Sequence, residues 1–202
     1  MSSCKLPLRA VALSLALSAT AFTAQASDRA GEYSVRGGGA QRCETYLASV
    51  NENRPDLGAY IGYIDGALTT ASRLTAGTFD VSPFILPGPF AAIVANICRQ
   101  APTQLFELAV RAGVEALARA RVAASSPIVE MTVGENRMSL RAETLTAVQT
   151  RLRALNLIRD NPDGRFGAAT QEGLRRFQTA NQLTVTGLPD PDTILALLVR
   201  TR

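Results

Sequence analysis

Apolar residues recur at three- and four-residue spacing through most of the chain, so the pattern predicts a mainly α protein. From Ala40 onward, Cys43, Tyr46, Leu47 and Val50 share one helical face that stops before Pro55. A second helix follows Asp56, with Tyr60, Ile61, Ile64, Leu68 and Ala71 on its inward side. Gly58, Gly62 and Gly66 lie four apart within it. Each lowers helix stability relative to alanine, so the three are read as permitting close helix packing. Gly77 to Pro89 carries Pro83, Pro87 and Pro89 and predicts a loop. Phe90 to Arg99 resumes as a short helix, and Pro102 is placed to open a longer one reaching about Ala124. Together these four helices predict a first domain over residues 40–124.

The period then changes. Ile128, Glu130 and Thr132 alternate with Val129, Met131 and Val133, followed by Gly134-Glu135-Asn136 and a second short run, Arg137 to Leu140. This predicts a β-hairpin inside a linker at residues 125–142, with Ser125-Ser126-Pro127 ending the preceding helix. Helical spacing returns at residues 143–202. Leu145, Val148, Leu152 and Leu155 line one face, Leu174 and Phe177 a second helix, and Ile194, Leu195 and Leu198 a third. Asp160 to Gly167 forms the loop between the first two, while Asp190 is placed as N-cap of the last with Pro191 in its first turn.

The ends of the chain add compartment and charge. Lys5 to Arg9 is basic, Ala10 to Leu17 apolar, and Ala24-Gln25-Ala26 precedes the first acid, which is the layout of a cleaved signal peptide at residues 1–26. Ser14, Ser18, Thr20 and Thr23 interrupt the stretch, against the roughly 20 apolar residues a membrane span needs. The mature chain is therefore expected to be exported, with no membrane span. Residues 27–39, ending in Gly37-Gly38-Gly39, read as a flexible leader. Cleavage removes Lys5 and Arg9 and no acid, taking the formal charge from +4 to +2, with no clustered basic face for nucleic acid. All remaining basic residues are arginines; genomic composition bias is the favoured cause, although arginine also suits carboxylate recognition. Cys43 and Cys98 are the two cysteines left, and an oxidising compartment predicts that they join.

In the last third, Val148-Gln149-x-x-Leu152-x-x-Leu155, Asp163-Gly164-x-Phe166-Gly167-x-x-Thr170, Phe177-Gln178 and Gly187-x-x-Asp190-x-x-Thr193-x-x-x-Leu197 occur in order over about sixty residues. This run resembles the peptidoglycan-binding domain attached to many cell-wall enzymes and exported proteins. The resemblance implies a three-helix module and peptidoglycan as ligand. Physically, Gly164 and Gly167 are expected to supply backbone angles closed to other residues, and Phe166 to plug the small core. Thr170 is read as a first-turn bond to the backbone or as packing, and Phe177 as core. Gly187, Asp190 and Thr193 complete the structural motif. Two departures stand out. Asn156 occupies a place often held by glycine, which asparagine tolerates in the left-handed conformation, and Leu157 and Ile158 stand where an aromatic residue is common.

Peptidoglycan offers sugars and stem-peptide carboxylates. Arg159, Arg165, Arg175 and Arg176 are accordingly candidates for charge-assisted hydrogen bonds, and Asp163 and Gln178 for bonds to amides or hydroxyls. For each arginine the competing reading is a solvated helix face.

The first domain, through Cys43-x-x-Tyr46, Gly62-Tyr63-x-x-Gly66 and Cys98-x-x-x-Pro102-x-x-Leu105, resembles the periplasmic helical domains of the acid-stress chaperone HdeA and of immunity proteins against secreted toxins. That implies binding of a periplasmic partner protein, or alternatively a holdase localised to the wall. The same residues also fit a generic disulfide-tied helical domain. The absence of histidine removes the usual zinc hydrolase ligands and imidazole bases, so no metal or cofactor is expected. A carboxylate-driven glycan hydrolase or lyase would have to use Glu44, Glu52, Asp56 or Asp65, and the acids read as surface charges, so the expectation is a protein without catalysis.

Overall fold

The helices at the front of the chain converge on one aromatic cluster. In the computed structural model, which describes residue 28 and residues 30–200, α1 (Cys43–Asn51) and α2 (Leu57–Leu74) bring Tyr46 and Tyr60 to ring centroids 5.3 Å apart. Phe106, the first residue of α4 (Phe106–Ala116), closes the cluster at 4.5 Å from Tyr46 and 5.0 Å from Tyr60. The Tyr46 hydroxyl donates to the Ala91 carbonyl of α3 (Pro87–Gln100) at 3.0 Å, so its one polar atom is paired inside the core. The predicted signal segment, residues 1–26, lies outside the described residues.

Cys43 and Cys98 form the expected disulfide between α1 and α3, and both are fully buried. In the chain-entropy view a closure of this length constrains the unfolded state by about 4 kcal/mol.

Two expectations for these helices need correction. Pro102 does not open a helix. The Gln104 and Pro102 carbonyls instead accept the N–H groups of Cys43 and Glu44 at 2.9 and 2.8 Å, capping the start of α1, and α4 begins only at Phe106. It ends at Ala116, with a short 3-10 turn at Ala118–Ala120 after it. Gly58, Gly62 and Gly66 do not mediate packing either, since a Cβ on any of them would meet nothing within 4 Å. Close approach occurs at Gly113 of α4, where a Cβ would lie 3.0 Å from Phe90, and at Gly39, where it would strike the Tyr63 ring. Gly37 to Gly39, the end of the expected flexible leader, instead belong to a 3-10 turn, Gly37–Ala40, with Gly39 buried.

The hairpin forms as expected, from β1 (Ile128–Val133) and β2 (Asn136–Arg141), antiparallel with Met131 opposite Met138 and Val129 opposite Leu140. Its turn holds two residues, Gly134-Glu135, and Asn136 is already in the strand. Gly134 has φ +60°, the leading-glycine requirement of a tight hairpin turn.

The final region packs α5 (Ala142–Ala154), α6 (Ala168–Ala180) and α7 (Pro191–Ile194), the last continuing as a π turn through Leu195–Arg200. Leu145, Val148, Leu152, Leu174, Phe177, Ile194 and Leu197 fill the space between them. Residues 35–200 belong to one compact unit. Glu143 joins its two parts, because its carboxylate oxygens accept from the N–H groups of Ala123 and Ala124, each at 2.8 Å. Among the described residues no helix is long and apolar enough to cross a membrane.

Candidate functional site

The C-terminal helices are organised around two buried glutamines. On α5, the Gln149 amide nitrogen donates to Asp163 Oδ1, the Arg165 carbonyl and Thr170 Oγ1 at 2.9, 2.9 and 3.1 Å. Its oxygen accepts from the N–H groups of Asp163 and Gly164. On α6, Gln178 repeats the arrangement, donating to Thr186 Oγ1, the Leu188 carbonyl and Thr193 Oγ1 while its oxygen accepts from Gly187 N–H at 2.8 Å. A buried amide with all its groups paired holds each loop without the cost of an orphaned polar atom.

Each loop passes its glutamine on a glycine with positive φ. Gly164 and Gly187 both have φ +69°, a conformation that side chains resist. Space is short as well, since a Cβ on Gly164 would fall 2.8 Å from the Ala142 carbonyl oxygen and Thr146 Oγ1. Gly167 does not share this role. Its φ is −127° and a Cβ there would meet nothing, so it serves as the extended N-cap position of α6. Thr170 is buried and bonded to the Gln149 side chain instead of its own backbone. Phe166 packs on the core while half-buried, and Phe177 is buried as read. Asp190 caps α7, accepting from Thr193 N–H at 2.9 Å and from Thr193 Oγ1 at 2.7 Å. Asn156 has φ +59° and ends α5 in the left-handed conformation expected of it.

The candidate ligand residues separate into three groups. Arg159, Asp163 and Arg165 are exposed along the loop between α5 and α6, and Arg159 has no side-chain partner among the described residues. The Arg165 N–H and the Gln149 amide both bond the Asp163 carboxylate, and together they hold its pKa below the ordinary value. Arg175 and Arg176 form a second group on the exposed side of α6. Arg175 lies against the Gly187 turn, and Arg176 donates to the Leu157 carbonyl at 2.6 Å and pairs with Glu172 at 3.7 Å. Gln178 stands apart from both, because it is fully buried and bonded inside the module and has no atom free to meet a ligand. Its amide is a fold determinant, which corrects its reading as a contact residue.

A groove of about 500 Å³ not foreseen from the sequence runs between α5 and the last helix, lined by Glu143, Thr146, Thr150, Arg151, Leu197 and Leu198. Thr146 and Thr150 donate their hydroxyl protons to the carbonyls of Ala142 and Thr146 and keep acceptor capacity toward the groove. The signal available was the i, i+4 pair Thr146 and Thr150 with Arg151 on the polar side of an otherwise apolar helix pattern. Gly173 is a second residue that the spacing does not single out; a Cβ there would strike Ile158, which is buried.

Residues 141–197 match the sequence profile of the family described as a peptidoglycan binding domain. The chain carries a peptidoglycan-binding domain. Its bounds enclose both glutamine loops, all five exposed candidates and the α5 groove apart from Leu198. No curated protein and no solved structure matches the chain, and the HdeA-like resemblance of the front helices finds no support in these comparisons.

Proposed function

We propose that the protein is an exported, non-catalytic wall-binding protein. In this reading the peptidoglycan-binding domain holds it to the cell wall, and the disulfide-tied front helices present a binding surface to a periplasmic partner. The observation that carries the reading is the match of residues 141–197 to the peptidoglycan-binding family, on a fold whose loops are held by Gln149 and Gln178 and whose arginines face solvent. The disulfide supports an oxidising compartment.

For the partner-binding role, the support is a largely apolar groove of about 460 Å³ between α2 and α4, lined by Tyr63, Ala67, Ala71, Val110 and Val114. The reading without catalysis draws on the acids that a glycan-cleaving enzyme would need: Glu44, Glu52, Asp56 and Asp65 are all exposed, and Glu52 is paired with Arg54 at 2.8 Å. None of the four stands in the dry cleft that a catalytic acid of this kind occupies.

The test is sedimentation of the mature chain with purified sacculi. Co-sedimentation without release of soluble fragments is expected; a chain that stays in the supernatant defeats the wall-binding role, and one that releases fragments defeats the non-catalytic one.

A further inference from the structure

A groove of about 800 Å³ lies outside the family match except at Arg141. It runs between the C-terminal half of α2 and the loops around Thr75–Asp80 and Phe84–Leu86. We infer that this groove is a second site for the wall polymer, taking a disaccharide unit with its acetamido groups and stem-peptide carboxylate. The inference rests on the wall-binding reading above and extends it to the front helices.

The lining decides the class of occupant. Its apolar part is the Phe79 ring, 41% exposed, which offers flat surface to the C–H face of a sugar, with the exposed Leu86 side chain beside it. Its polar part is ionic. Asp80 is half-buried, and its Oδ1 accepts from Ser82 N–H while the second oxygen takes no hydrogen bond among the described residues. Arg73 has no side-chain partner among them. Arg141 stacks over Phe79 at 4.5 Å and donates to the Ser126 carbonyl, which fixes its guanidinium at the groove wall.

An apolar peptide segment seated here would cover the Arg73 guanidinium and the second oxygen of Asp80 and offer neither a hydrogen bond, which is unfavourable. A ligand carrying hydroxyls, amide N–H groups and a carboxylate pairs them: N–H or O–H donors to Asp80, and the carboxylate to Arg73. The volume falls within the roughly 300–1,000 Å³ usual for small-molecule sites. Position agrees, because Arg141 is at once a wall of the groove, the last residue of β2 and the first residue of the family match.

The experiment compares the mature chain with Thr69→Trp, which places an indole in the groove from an exposed helix position, and with Arg73→Ala, an exposed change that leaves the core alone. Sacculus sedimentation gives apparent affinity. Amide shifts on addition of soluble disaccharide-peptide fragments, chitin oligosaccharide or stem tetrapeptide show which half of the polymer seats in the groove. Expected are shifts at Thr78–Asp80 with the disaccharide-peptide and with at least one of its halves, and affinity about fivefold weaker in both variants at unchanged helicity. If the parent sediments but both variants match it and Thr78–Asp80 does not respond, the second site is wrong while the wall-binding reading stands. If the parent does not sediment, both fall.

Discussion

Gln149 and Gln178 hold two different loops in the same way, each from inside a helix and each accepting from the N–H of a glycine at φ +69°. The repetition means that two separate stretches of chain, around Gly164 and around Gly187, depend on one buried amide apiece. Replacing Gln178 by alanine strands the Gly187 N–H and removes the amide donor to the Leu188 carbonyl and the Thr193 hydroxyl, which keep Thr186 and Asp190 as partners, and should lower the stability of the module by about 2 kcal/mol. Gln149→Ala should act alike on the other loop. Urea denaturation followed by far-UV dichroism measures both, and a loss below about 1 kcal/mol would show that water replaces the amides easily.

Gly164→Val should abolish wall binding through the fold. The residue combines positive φ with a carbonyl oxygen 2.8 Å from where a Cβ would sit, so a β-branched side chain meets both strain and collision. Arg165→Ala, one position later on the exposed side, should weaken sacculus sedimentation and leave the dichroism unchanged. Equal melting of the two variants would remove the distinction between loop scaffold and loop contact.

Asp163 gives a pH dependence with a definite sign. Its carboxyl is held below the ordinary value of 3.8, first by the Arg165 N–H and then by the Gln149 amide. A depressed folded pKa contributes stability that is present above the unfolded value and disappears as pH falls through the folded one. The parent should therefore exceed Asp163→Asn in stability at neutral pH, and the gap should close in acid below the normal carboxylate range. Thermal melts at a series of pH values check this; a gap that is constant with pH would show that the charge on Asp163 plays no part.

Non-reduced mass spectrometry of the mature protein should show one peptide pair linking Cys43 and Cys98. Cys98→Ala should reduce the stability of the front helices by up to about 4 kcal/mol in the chain-entropy model. Two free thiols in exported protein would contradict the arrangement.

If exposed arginines contact wall carboxylates, sacculus binding should weaken as salt is raised, since exposed ion pairs are screened over about 10 Å at 0.1 M salt. Binding that is indifferent to salt would shift the contact to neutral hydrogen bonds.

Local chemistry made several features of the fold legible in the sequence. The cap at Asp190, the left-handed Asn156, the glycine that leads the hairpin turn and the cysteine pair each follow from what one residue type does to its own backbone or its compartment. What stayed hidden depends on partners distant in sequence. Spacing places Gly58, Gly62 and Gly66 on one face of α2 but does not say whether that face meets a neighbour, and it meets none within reach. Pro102 has the profile of a helix opener until the N–H groups of α1 claim its carbonyl and that of Gln104. Gln178 is polar and has the profile of a contact residue in the sequence, since burial of an amide is visible only once the groups that satisfy it are in place.

The clasp of Glu143 on Ala123 and Ala124 bears on how force and direction pass along the molecule. With Arg141 holding the Ser126 carbonyl and Ala142 N–H bonded to the Pro127 carbonyl, the segment between the parts is a bracket, not a hinge. A protein fixed to a surface through such a bracket keeps its far end at one height and one bearing. It meets only neighbours that come to that height, and it transmits a pull without first unreeling slack.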